Sequence, residues 1–170
     1  MLPVPEAEFL VRPRLARDAP DLLPADAEDT VAHITLLGPF ADLPELDEGV
    51  HAELTDLFAD VLPFGFELTS VSEFPAGTTY LVPEPAAPFR QLTHELVRRF
   101  PEFPPYGGEF DDVVPHLSVP TVPAQDHDAL RAEIEPLLPI TGHAREAALY
   151  WWGPGESRTL QVFPFGTTAA

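Results

Sequence analysis

Cysteine and lysine are both absent from the 170 residues. Without cysteine there are no disulfides, thiol nucleophiles or thiolate metal sites. Without lysine, nine arginines stand against 28 acidic residues, for a formal net charge of −19. The densest basic cluster is Arg12, Arg14 and Arg17, far short of the stripe that salt-driven binding to duplex DNA or long RNA requires. A small anion held by a few local donors is compatible with such a surface, because short hydrogen bonds outweigh a screened net field. No apolar run approaches the roughly 18 residues of a membrane span, so no membrane partner is expected. The opening MLPVPEAEFLVRPR lacks the basic start and apolar stretch of a secretory signal, and the expected location is the cytoplasm.

What is present suits a folded core. Hydrophobic residues make up 45% of the chain, with 12 Phe and two Trp as large apolar units. Residues 31–37 (VAHITLL) are β-branched and apolar up to Gly38-Pro39, which reads as a strand. Over 45–62 the apolar positions Val50, Leu54, Leu57, Phe58 and Val61 have helical spacing. Residues 64–71 alternate as a half-buried strand, and 78–82 form another after Ala76-Gly77. A helix over 88–100 ends at Pro101, and a Pro/Gly-rich loop covers 101–112. Then come a β-like segment at 113–121, a helix from about 125 to 138, and closing strands at 140–152 and 159–165. This order predicts a single α+β domain with mostly antiparallel sheets. Two pseudo-symmetric lobes, centred on 31–82 and 113–165, would face each other across a central cleft.

The lobes are suggested by an echo. Each opens with the same phrase: hydrophobic residue, His, hydrophobic residue, hydroxyl residue, hydrophobic residue. Side chains two apart on a strand share a face, so His33 points with Thr35 and His116 with Ser118. Facing lobes would then line the cleft with two imidazoles and two hydroxyls. That set suits metal-free cleavage of a phosphodiester. One neutral imidazole accepts a proton from the attacking oxygen, and the other, protonated, donates to the leaving oxygen. Thr35 and Ser118 would hold the non-bridging phosphate oxygens.

HITLLGPF at 33–40 and PHLSV at 115–119 resemble the paired motifs of the two-histidine phosphoesterase superfamily, and more closely its 2′-5′ RNA ligase-like branch. The similarity extends to YLVPEPAAPFRQLTHEL at 80–96, PPYGG at 104–108 and FPFG at 163–166. The resemblance implies two α+β lobes around a cleft. It also implies hydrolysis of 2′,3′-cyclic phosphodiesters, or reversible 2′-5′ linkage chemistry on RNA ends, with no metal or cofactor. His33 and His116 take the acid/base roles and Thr35 and Ser118 the phosphate-binding roles. Where relatives carry a basic residue after the second motif, this chain has Pro120-Thr121, which favours a small cyclic phosphate or nucleotide over a long RNA.

Further candidates are Tyr106, to stack on a base or bond the phosphate, Phe40, to line the cleft, and Arg158, to supply a cation. Of the adjacent Trp151 and Trp152, one should face in and the other out. His51, His94, His127 and His143 read as solvated. Two alternatives stay open: a non-catalytic module binding nucleotides or RNA ends in the same cleft, and a metal hydrolase, for which no ligand spacing is present. A monomer is expected.

Overall fold

A computed structural model describes residues 1–109, 113–120 and 127–167. The helices form where the sequence caps them and stripes them. Helix α2 (Glu48–Ala59) starts at Asp47, whose carboxylate accepts the Val50 N–H at 3.0 Å, and it buries Leu54, Leu57 and Phe58. Helix α3 (Ala87–Arg99) buries Phe89, Leu92, Thr93 and Leu96, the i, i+3, i+4, i+7 stripe of an amphipathic helix. Helix α4 (His127–Ile134) seats Leu130 and Ile134 in the core. Each such Leu or Ile taken fully out of water contributes about 1.5–3 kcal/mol.

Every described strand pairing is antiparallel. The strands are β1 (Leu2–Pro3), β2 (His33–Ile34), β3 (Phe64–Glu73), β4 (Thr79–Glu84), β5 (Leu117–Ser118), β6 (Ile140–Ala144), β7 (Glu146–Trp151) and β8 (Arg158–Pro164). The first six form one sheet in the order β1-β2-β5-β4-β3-β6, and β7 pairs with β8. Met1 and Ala148 exchange backbone hydrogen bonds at 2.8 and 2.9 Å, which fastens β7 to the β1 edge. Only Arg145 separates β6 from β7, so the chain leaves one end of the large sheet and joins the other. The result is an α+β fold whose strands nearly close into a barrel, and the two motif strands lie side by side within it.

Several sequence readings change in detail. Among the described residues, the strands expected over 31–37 and 113–121 pair regularly only around the histidines, and Thr121 lies outside the described residues. The single strand expected over 140–152 is two, because the chain turns at Arg145 from one sheet into the other. The alternation over 64–71 continues to Glu73 but shifts register between Leu68 and Ser70. Gly142 lies opposite Phe66, and a Cβ there would come within 2.4 Å of the Phe66 ring. That position tolerates only glycine without repacking. Helix α1 (Glu8–Asp18), with Pro13 inside it, and the short β1 precede every element read from the sequence.

Candidate functional site

The register of β2 on β5 decides how the two phrases meet. Ile34 pairs with Leu117, and both are fully buried. One step to either side, that pairing sets His33 opposite Ser118 and Thr35 opposite His116. All four polar side chains share the face opposite Ile34 and Leu117. Each histidine thus stands beside the hydroxyl of the other phrase. The two imidazoles are diagonal neighbours across the ladder, a spacing of about 7–8 Å in an antiparallel pair. Tyr80 pairs with Ser118 from the other side, so the row runs Tyr80, Ser118, His33 across three strands.

Both rings are anchored in the same way. His33 Nδ1–H donates to the Val31 carbonyl at 2.7 Å, and His116 Nδ1–H donates to the Val114 carbonyl at 2.7 Å. A carbonyl only accepts, so Nδ1 carries the proton in each ring and the neutral Nε2 presents a lone pair. Burial pushes His33 down to about 4 from its ordinary 6.5, and the charge of His116 acts in the same direction. Burial also lowers His116. Aromatic walls flank the pair. Trp152 sits 5.8 Å from the His33 ring, and Phe74 and Tyr80 lie edge-on to His116 at 4.9 and 5.5 Å.

The approach to His33 is held by side chains that no sequence pattern marks. Glu8 of α1 accepts the backbone N–H of Ala32 at 2.9 Å and of Val31 at 3.2 Å, and Arg12 Nε donates to the same carboxylate at 2.7 Å. Thr93 of α3, itself buried, donates to the Leu36 carbonyl at 2.8 Å. Such contacts link residues that are distant in sequence and have no spacing rule to betray them.

The other candidates are spread around this centre. Phe40 is half-buried, packs edge-on against Phe100 and Phe103, and lines a cavity of about 490 Å³ that His33 and Thr35 also border. Tyr106 lies in the 3₁₀ turn Pro105–Gly108 at φ 51°, and its N–H donates to the Gly38 carbonyl at 2.7 Å, tying that turn to the end of the first phrase. Arg158 begins β8, exposed and paired in register with Trp151 at the turn end of the hairpin. Trp151 is half-buried at the cavity and Trp152 exposed beside His33, the in-and-out pair expected. Two histidines expected to be solvated have partners instead: His51 Nδ1 meets Gln161 Oε1, and His127 Nδ1 meets Thr79 Oγ1 at 2.8 Å. Among the described residues, no group of three or more His, Asp or Glu side chains is placed to hold a metal ion, and no helix is long and apolar enough to cross a membrane.

The sequence profile of the 2′-5′ RNA ligase superfamily matches residues 3–156. The chain belongs to that superfamily. Its fold is shared with solved structures at low identity. LigT of E. coli complexed with NADP+ is 18% identical with a TM-score of 0.56, over 98% of this chain and 95% of that one. The apo form of LigT, also 18% identical, gives 0.54 over 98% and 94%. A protein described as a phosphoesterase is 16% identical and gives 0.53 over 98% and 95%. No curated protein matches this chain. For a 2′-5′ RNA ligase superfamily member, the implied chemistry is of phosphoesterase or ligase type, acting on phosphodiesters.

Proposed function

We propose that this superfamily member hydrolyses 2′,3′-cyclic phosphodiesters, or related 2′-5′ bonds, at RNA ends or in small nucleotides. His33 and His116 serve as the acid/base pair. The observation that carries this reading is the crossed register, which puts two Nε2 atoms and two hydroxyls on one face of adjacent strands. A phosphate over that face meets one imidazole and one hydroxyl from each phrase.

In the reaction, a neutral Nε2 removes a proton from water as its oxygen attacks phosphorus. The bond from phosphorus to one ribose oxygen breaks, and the protonated Nε2 of the second histidine delivers its proton to that oxygen. The ring opens to a phosphomonoester, and the two histidines exchange protonation states. With the 5′-hydroxyl of a second RNA end in place of water, the same two proton transfers form its bond to phosphorus, break the bond to the 3′ oxygen and leave a 2′-5′ linkage. Thr35 and Ser118 donate to the non-bridging oxygens, where negative charge grows in the transition state. The Nδ1–H bonds to Val31 and Val114 hold both rings in the tautomer this chemistry needs. The two halves, 31–82 and 113–165, each supply one histidine and one hydroxyl.

The test is turnover of 2′,3′-cyclic nucleotides and a 2′-5′-linked dinucleotide by the purified chain in EDTA, with H33A and H116A beside it. Turnover lost in both variants, with nucleotide binding retained, supports the reading. Turnover unchanged in both, or absent from the wild type while binding persists, establishes a binding module instead.

A further inference from the structure

The β3–β4 hairpin ends beside His116, and a side chain from outside the sheet holds that end. Glu73 and Thr79 form the last rung of the ladder before the turn, so their side chains share a face. His127, the first residue of α4, lies over both of them. Its Nδ1 is 2.8 Å from Thr79 Oγ1, and its Nε2 is 3.7 Å from Glu73 Oε1. With the Thr79 hydroxyl donating to Nδ1, the ring proton sits on Nε2 and faces the Glu73 carboxylate. Thr79 is 2% exposed, so losing this partner leaves a hydroxyl stranded away from water. One turn along the same helix face, Arg131 Nη1 donates to the Val71 carbonyl at 3.2 Å, a second tie to β3.

The residues next to that rung face the other way. Phe74 follows Glu73 and Tyr80 follows Thr79, and both rings lie on the face that carries Ser118 and His116. The two rings stack at 4.2 Å with 23° between their planes. Together they meet the His116 ring edge-on at 4.9 and 5.5 Å. This stack shields His116 from water, in keeping with the lowering of that imidazole by burial.

We propose that His127 is a positioning residue for His116: bound to Thr79 and Glu73, it fixes the end of the hairpin and so keeps the Phe74–Tyr80 stack against that ring. His127 lies behind the sheet, on the face opposite the phosphate position. Its effect on turnover rests on the reading of His116 as one of the acid/base pair, whereas its hold on the ring stands apart from that reading. Without the latch, the hairpin end gains freedom, the stack drifts, and water reaches His116. A ring that wanders is aligned with the reacting bond for less of the time, so the loss falls on kcat.

Two measurements on the full chain separate the placement of the ring from its chemistry. The first is the NMR titration of His116, its imidazole signal identified by its loss in H116Q. H127A should move that titration upward by roughly half a pH unit or more as water returns, and His33, walled by Trp152, should move less. The second is steady-state kinetics on a 2′,3′-cyclic nucleotide, where kcat should fall about three- to tenfold with KM changed less than about twofold. H127N, whose amide takes the place of Nδ1 beside Thr79, should restore most of both. T79V removes the hydroxyl but keeps the side-chain shape, and it carries the same test if H127A does not fold. It should match H127A, and the double variant should be no worse than either alone. A lowered Tm with the His116 titration and kcat both unmoved would overturn the proposal, as would H127N behaving like H127A. An unmoved titration with wild-type turnover intact rejects the positioning role alone. A shifted titration in a chain that cleaves no cyclic nucleotide rejects the catalytic reading and keeps the hold on the ring.

Discussion

Among the described residues, more side chains and backbone groups hold the chain around His33 than around His116. The first phrase lies between β1 and β5, with Glu8 on its leading amides, Thr93 on the Leu36 carbonyl and Tyr106 N–H on the Gly38 carbonyl. The second phrase lies between β2 and β4, and Val119 N–H donates to the Thr79 carbonyl at 2.9 Å. Among the described residues, no carboxylate bonds to the backbone of 113–120. The repeated phrase therefore sets which atoms face the ligand, and its surroundings set how firmly they are held. A fixed histidine opposite a less constrained one can present one rigid partner to the phosphate and let the other adjust to it.

The strongest way to break this comparison is to remove the rings. H33A and H116A should each lower kcat on a 2′,3′-cyclic nucleotide by about 10²–10⁴-fold. The double variant should be little worse than the poorer single one, because the pair works as a unit. Either ring removed with less than a tenfold loss would end the shared-pair account. The next effect is smaller. T35V and S118A should each cost about 10–100-fold in kcat/KM, the value of one or two well-placed hydrogen bonds to developing charge. The crossed register makes these two losses similar, and a loss confined to one hydroxyl would show that only one strand contacts the phosphate.

Much of this centre was legible in the sequence because it obeys short-range rules. Alternation along a strand put His33 with Thr35 and His116 with Ser118, and the apolar stripes of α2 and α3 announced their buried faces. The crossed pairing was not legible. Period-two alternation says which face a residue takes, but nothing about which residue of another strand stands opposite. Helix α1 was hidden by Pro13, a residue that argues against a helix interior, although Leu10, Val11 and Leu15 are buried along it. The break at Arg145 carries no Gly or Pro to mark it. Glu8 was invisible for a deeper reason, since its partners are backbone amides more than 20 residues away.

Glu8 provides the third test, aimed at the ties rather than the rings. E8Q keeps the shape but weakens the charge-assisted bonds to Val31, Ala32 and Arg12. Stability should fall by about 1–3 kcal/mol, read as a drop of roughly 2–4 °C in Tm per kcal/mol. The kcat should fall several-fold beyond what lost folding explains, with KM little changed, because the group displaced is a ring and not a contact to substrate. The same Tm loss with kcat intact would make Glu8 structural only and would remove the functional meaning of the asymmetry.

The smallest effect sharpens the comparison through pH. His33 titrates near 4 in the folded chain and at its ordinary 6.5 when unfolded, burial being the main cause. Between those values the unfolded state binds a proton that the folded state refuses, so stability must rise with pH across the window and stop rising above 6.5. Going from pH 7 to pH 5 should cost about 2 kcal/mol from this group alone, at about 1.4 kcal/mol per pH unit. His116 is lowered in the same sense, so it adds to the slope. If the firmer hold on the first phrase is what keeps its ring from water, H33Q should remove more of the pH 7 to 5 loss in Tm than H116Q does. Equal recovery by the two variants would mean that both rings are equally desolvated, and that the ties around Glu8 position His33 without burying it.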